Sequence, residues 1–231
     1  MRIEANHLTL SYFDGDRTTT AVRDVTLALS ERGFVGIMGP SGSGKSSLLY
    51  LLCGLKRPTS GEVLAGGQTL NAMGERQRVA LRREHFGFVF QQAYLLNYLT
   101  AAENVLVSTN GSAGGRDRIE ALLRRLGLER LKDRYPPQLS GGEKQRVAVA
   151  RAMAGLPDVI FADEPTAALD SENGRAVIDL LYGYRDRGCV VVVTHDAAML
   201  EKADRIYHLA DGSLTHSEGR AQAVGEGAKQ E

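Results

Sequence analysis

Residues 39–46 read Gly-Pro-Ser-Gly-Ser-Gly-Lys-Ser, and no other stretch restricts the fold of this chain as strongly. The spacing G-x-x-x-x-G-K-S is that of a phosphate loop, which works only between a buried strand and a helix. Both flanks are present. Residues 34–38 are an apolar run, and Leu48, Leu49, Leu51 and Leu52 line one side of a helix expected over about 44–55. Gly42 and Gly44 let the backbone curl so that successive N–H groups converge on an anion. The helix N-terminus adds its positive end. Lys45 brings an ammonium to the outer phosphates, and Ser46 offers a hydroxyl to Mg²⁺, which prefers oxygen. Gly39, Pro40, Ser41, Ser43 and Ser47 complete the nucleotide-contacting candidates. A chance Gly/Ser-rich turn is the bland alternative, and the full match in its strand–helix context outweighs it. The loop specifies a nucleoside triphosphate, and without an Asn-Lys-x-Asp element for guanine, ATP is favoured over GTP.

The rest of the chain supplies an α/β frame for that loop. Residues 3–12 and 22–30 alternate apolar and polar, as antiparallel strands with one wet face do. A hairpin is expected over 61–70 around Gly66-Gly67, and an apolar strand over 86–90. Residues 100–139 are helical in pattern, broken by the Gly-rich stretch 111–115 and by Pro136-Pro137, and read as an inserted helical lobe. Helices follow at 142–154 and 172–187, buried strands at 159–162 and 189–194, and a closing hairpin over 204–217 around Asp211-Gly212. Residues 219–231 are small and polar, and are expected to be disordered. Alternating strands and helices imply a mainly parallel central sheet. No internal repeat is visible.

Composition excludes several classes. The 28 basic and 28 acidic side chains cancel, so no basic face drives binding to nucleic acid, and none is expected as a partner. Cys53 and Cys189 lie in apolar segments and read as small buried hydrophobes in a reducing setting. The start has no signal-peptide core, and the apolar run around 190–193 falls far short of the ~20 residues that span a bilayer. If this protein serves a membrane, another chain crosses it.

A second chemical centre closes the strand at 159–162. Asp163 and Glu164 follow it directly, at the carboxyl end where ligands of parallel sheets bind. Asp163 is then placed to hold the Mg²⁺ shell and Glu164 to accept a proton from an attacking water. The bland reading, a strand simply reaching solvent, weakens beside a phosphate loop because carboxylates against a core are costly. His195 ends the next apolar strand on the same side, in reach of a γ-phosphate or the water. His7, His85, His208 and His216 lack such context and carry no assignment.

Leu139-Ser140-Gly141-Gly142-Glu143 opens a helix. Ser140 and Glu143 fit a capping box, which leaves the glycine pair unexplained unless something approaches the backbone closely. With this motif the sequence resembles the ABC-transporter ATPase family over residues 2–216. Other elements of that family stand in order: Gln91 matches the Q-loop, Ala168-Leu169-Asp170 the D-loop, and Thr194-His195-Asp196 the switch histidine. Tyr12 stands where the family places an aromatic on adenine, with Phe13 as a competitor. Ser47, Glu143, Lys144 and Ala167 depart from the commonest family residues without removing a catalytic atom.

The resemblance implies a P-loop NTPase (RecA-like) core with an antiparallel β subdomain and a helical subdomain inserted at about 92–140, one ABC ATPase domain over 1–218. It implies that catalysis rests on Glu164, His195 and Lys45. It further implies that Ser46, Gln91 and Asp163 serve the metal, and that Ser140, Gly141, Gly142 and Glu143 act in trans on the ATP of a second copy. Integral membrane permease subunits are the implied partners, at the cytoplasmic face of the inner membrane. The texture of 87–91, 99–105 and 185–188 resembles the lipoprotein-releasing and macrolide-efflux branch. Tyr94, Leu95, Leu96, Tyr98 and Leu99 form an apolar stretch that marks either a partner surface or ordinary packing. Glu103, Arg116 and Arg118 read as solvated charges. The competing functions are a soluble ABC-type ATPase acting on ribosomes or DNA, and a non-catalytic nucleotide sensor. The single ATPase unit disfavours the first. Lys45, Asp163, Glu164 and His195 disfavour the second.

Overall fold

The computed structural model describes residues 1–15, 17–109 and 115–219. Most of the tail expectation, from 220 onward, and most of the Gly-rich break at 110–114 lie outside these residues. Gly219, expected to begin the tail, instead ends a strand, and Gly115 opens a helix.

Two sheets form. The first pairs β1 (Ile3–Asp14), β2 (Arg17–Leu29), β4 (Ser60–Ala65) and β5 (Gln68–Thr69) antiparallel, in the order β2-β1-β4-β5. The second contains β3 (Gly33–Met38), β6 (Phe86–Val89), β7 (Val159–Asp163), β8 (Cys189–Thr194), β9 (Arg205–Ala210) and β10 (Ser213–Gly219). Its order is β10-β9-β3-β8-β7-β6, parallel throughout except for the β9–β10 hairpin. Asp211 and Gly212 turn that hairpin with φ of 48° and 81°, the primed-turn geometry an Asp-Gly pair favours.

β8 shows why the central strands read as unbroken apolar runs. Val190 and Val192 join the core on one face of the sheet, while Cys189, Val191 and Val193 join the core on the other. The second of these cores also takes Leu48, Leu49, Leu51 and Leu52 of α1 (Lys45–Leu52) and the inner face of the antiparallel sheet. Each such leucine contributes roughly 1.5–3 kcal/mol on burial. The first core packs against α3 (Ala101–Leu106), α4 (Gly115–Arg125), α5 (Gly141–Ala154) and α6 (Ser171–Gly183).

Three expectations need correction. α1 stops at Leu52, because Gly54 takes φ 67° just past its end. The helix expected to reach Arg187 ends at Gly183 and tightens into a short 3₁₀ turn, Tyr184–Asp186, from which Cys189 N reaches Asp158 O at 2.9 Å. A helix absent from the sequence reading, α2 (Glu75–His85), lies between β5 and β6. Its one buried residue is an arginine, Arg78, paired with Glu75, and Arg82 donates to Gly54 O at 2.8 Å. Of the three charges expected to be solvated, Glu103 and Arg116 are exposed, Glu103 also closing a capping box with Thr100, while half-buried Arg118 donates to Ala154 O at 2.8 Å.

Asn104 fastens the chain where it enters the helical region. The side chain is fully buried. Its amide donates to the carbonyls of Leu96, Leu99 and Thr100 at 3.0–3.1 Å, and its oxygen accepts from Leu96 N at 2.8 Å. Asn104→Ala removes the side-chain partner of Leu96 N and Leu99 O, while Leu96 O still accepts from Leu99 N and Thr100 O from the backbone N–H of residue 104. The substitution is expected to lower stability by about 2–4 kcal/mol, read as a lower urea midpoint at constant slope.

Candidate active site

β3 ends at Met38, and α1 begins at Lys45, so the phosphate loop occupies the junction the sequence expects. Gly42 and Gly44 take φ of 78° and 95°. A Cβ on Gly42 would meet open space, whereas one on Gly44 would lie 2.0 Å from Ala21 O. Lys45 is buried, and its ammonium donates to Gly39 O and Pro40 O, each at 2.9 Å. Ser43 Oγ is buried without a hydrogen-bond partner, an orphan that a phosphate oxygen would satisfy. The loop is braced from the closing hairpin, where Gly212 N donates to Ser43 O at 3.0 Å.

β7 carries Asp163 to this loop. Ser46 Oγ donates to Asp163 Oδ1 at 2.9 Å, and the Tyr50 hydroxyl donates to Oδ2 at 3.0 Å. Burial pushes the Asp163 carboxyl above the usual carboxylate range, and the neighbouring Glu164 pushes the same way, against the bonds from Ser46 and Tyr50. Burial and the Asp163 charge likewise raise the Tyr50 phenol, which keeps it a donor. The paired hydroxyl and carboxylate oxygens of Ser46 and Asp163 are the hard donors that a magnesium ion selects.

Glu164 leaves the strand in the left-handed region, with φ 47°, a conformation that costs a non-glycine residue roughly 1–2 kcal/mol. Its N–H donates to Val193 O at 2.9 Å, which ties it to the end of β8. Thr194 Oγ1 donates to Glu164 Oε2 at 3.3 Å, and His195 Nδ1 lies 2.9 Å from Oε1. The Glu164 side chain is 15% exposed, against 66% for His195.

The Ser140 hydroxyl accepts from Glu143 N at 3.2 Å, and Glu143 Oε2 accepts from Ser140 N at 2.7 Å, the capping box read from the sequence. A Cβ on Gly142 would meet Leu169 Cδ2 at 3.0 Å, so a neighbour within the chain explains that glycine. A Cβ on Gly141 meets nothing within 4 Å, and Ser140 beside it is exposed. Asp170 caps α6 through Asn173 N, a bond that holds its carboxyl below the usual range, and Arg146 of α5 donates to Asn173 Oδ1 at 2.8 Å. Gln91 is exposed just beyond β6. Tyr12 lies over α1, its hydroxyl 3.3 Å from Ser47 Oγ and hydrogen-bonded by Lys56, whose ammonium sits 4.4 Å from the ring centre. Phe13 is 71% exposed.

Comparison with known proteins decides the family. A family model described as "ABC transporter" matches residues 22–167. The chain belongs to the ABC transporter family. It is an ATPase cassette of that family, and its fold is the family's. An ABC transporter ATP-binding protein of Methanocaldococcus jannaschii, MJ1508, is 43% identical over 92% of this chain and 97% of its own length. The macrolide export ATP-binding/permease protein MacB of Salmonella typhimurium is 41% identical over 93% of this chain, which corresponds to 34% of MacB. The dimeric ATP-binding cassette MJ0796, solved in a post-hydrolysis state with ADP and Pi, superposes with a TM-score of 0.89. It is 39% identical over 95% of this chain and all of that one.

Some contacts of this ABC cassette were not legible beforehand. Tyr50 sits one helical turn after Ser46, a spacing that could have flagged it. Gln145 Nε2 donates to Phe90 O at 2.9 Å, and Arg151 donates to Ala93 O and Tyr94 O, each at 2.8 Å. These bonds join segments 55 to 58 residues apart, beyond any local pattern. Among the described residues no helix is long and apolar enough to cross a membrane.

Proposed function

We propose that this cassette hydrolyses Mg-ATP as a head-to-tail dimer and thereby drives separate integral membrane permease subunits, in export, lipoprotein release or mechanotransmission. The observation that carries the chemistry is the Glu164 carboxylate, held between Thr194 and His195 beside the Ser46–Asp163 pair. In this reading Gly39, Pro40, Ser41, Gly42, Ser43, Gly44 and Lys45 cradle the phosphates. Ser46, Gln91 and Asp163 hold the metal, Ser47 lines the pocket, and Tyr12 stacks on adenine. When bound, Mg²⁺ neutralises charge developing on the phosphates. Glu164 accepts a proton from water and His195 steadies the γ-phosphate side. Ser140, Gly141, Gly142 and Glu143 of one copy close the other copy's site, with Asp170 at the same interface. The dimeric solved relative supports this pairing, and the open space at Gly141 leaves room for a partner's phosphate.

The unit is one ABC ATPase domain, 1–218, with the helical subdomain at about 92–140. It sits at the cytoplasmic face of the inner membrane. Tyr94, Leu96 and Tyr98 are exposed, and Tyr94 adjoins Phe90 and Arg151 of a groove of about 570 Å³ that Val79, Arg82 and Phe88 also line, a surface suited to a permease. The likeness to MacB supports an export-type partner.

Affinity purification of tagged Glu164→Gln from detergent-solubilised membranes with ATP tests the partner. An integral membrane protein with a large external domain is the expected companion. Ribosomal or DNA-bound proteins in its place would leave the ATPase intact and remove the transporter. Tyr12→Ala is expected to weaken ATP binding by about 5–30-fold, from the loss of roughly 1–2 kcal/mol of stacking, while Phe13→Ala changes it little. Fluorescent-nucleotide titration separates the two.

A further inference from the structure

We propose that His208, His216 and Glu218 form a site for a divalent transition-metal ion of the zinc class on the closing hairpin. A bulge between Leu214 and His216 shifts the register of β10 against β9, so that His216 rather than Thr215 pairs with His208. Glu218, two residues on, shares the face of His216. The two imidazoles lie flat against each other, centres 3.9 Å apart and planes within 10°. Glu218 Oε1 lies 2.9 Å from His208 Nε2 and 3.3 Å from His216 Nε2. One ligand atom from each of the three residues falls within 4.8 Å of the other two. Ligands at about 2.0–2.1 Å around a tetrahedral zinc stand roughly 3.3 Å apart, and because imidazole lone pairs lie in the ring planes, closing the shell tilts the two stacked rings toward a common point.

Two details favour a metal over a simple ion pair. His208 Nε2 is buried and makes no hydrogen bond, although Glu218 Oε1 is near. The pair is therefore misaligned as donor and acceptor, as two atoms converging on a shared third point would be. Thr215 Oγ1 donates to His208 O at 3.2 Å and lies 3.2 Å from His216 Nδ1. With its proton committed to the carbonyl, that hydroxyl accepts from Nδ1–H. This assigns the tautomer that leaves His216 Nε2 as a lone-pair ligand. Two imidazoles and one carboxylate suit zinc and the later first-row divalent ions, with a remaining position for water. The ion would tie edge strand β10 to β9 beside Leu209, whose carbonyl abuts Gly39 of the phosphate loop.

The test uses the untagged full chain, stripped with a chelator and titrated with Zn²⁺ alone against a chromophoric competitor. One ion per chain is expected. His216→Ala and the conservative, surface Glu218→Gln should weaken binding by about tenfold or more, since even outer-shell changes cost 10–100-fold. His195→Ala should bind as the unmodified chain does, which separates this site from the acidic pair at the nucleotide. The proposal fails if His216→Ala and Glu218→Gln bind like the unmodified chain, or if the loss follows His195→Ala.

Discussion

Glu164→Gln is expected to lower ATP turnover by about 10²–10⁴-fold, the usual contribution of a positioned general base, while ATP affinity stays close to that of the unmodified chain. The amide is nearly the same size and still accepts from Thr194, so the left-handed turn at Glu164 and its bond to Val193 O survive. What disappears is the capacity to take a proton. Binding and hydrolysis therefore separate: nucleotide titration is unchanged, steady-state phosphate release collapses, and the dimer accumulates with ATP on size-exclusion chromatography. A variant retaining turnover within about tenfold would move the base elsewhere. A variant that stays monomeric at saturating Mg-ATP would sink the sandwich.

The second large effect concerns stability. Gly44→Ala places a Cβ 2.0 Å from Ala21 O, at a residue whose φ of 95° already excludes ordinary side chains. Backbone strain of roughly 1–2 kcal/mol adds to about 1–3 kcal/mol for forcing β2 and the loop apart. The melting temperature should fall by about 4–20 °C, because a chain of this size loses roughly 2–4 °C per kcal/mol. Nucleotide binding should weaken with it. Gly42→Ala is the control. Its φ is 78°, but its Cβ meets open space, so only the strain of about 1–2 kcal/mol is expected. Equal melting shifts for the two would mean that conformation alone, and not contact with Ala21, selects glycine at 44.

The parts of this molecule that were readable in the sequence are those whose chemistry allows few substitutes. The Gly39–Ser46 loop needs glycine at positive φ and a lysine at its end. β8 needs an unbroken apolar run because both its faces are buried. α2 was invisible for the opposite reason: it buries an arginine stem rather than an apolar stripe, and its pairing of Glu75 with Arg78 and Arg82 leaves no hydrophobic period to detect. The acid pair was legible by position, but not the tyrosine that donates to Asp163, because Tyr50 reads equally well as a core residue of an amphipathic helix. The register bulge that pairs His216 with His208 has no mark in the sequence, which is why neither histidine drew an assignment.

The bonds from α5 to the segment after β6 have a mechanical meaning. Gln145 grips Phe90, and Arg151 grips Ala93 and Tyr94. Six residues separate the two grips, about 9 Å along the helix. A strap bolted at two points to a stiff rod cannot hinge about either one. The rod is 14 residues long, about 21 Å, and Ser140 caps its far end. A displacement imposed at Tyr94 then reaches Ser140 as tilt and translation of a single lever, with no gearing between. Loosening one bolt, as in Arg151→Ala, predicts slippage under load, seen as ATP consumption that no longer scales with transport. Scaling unchanged in that variant would show that the force takes another path.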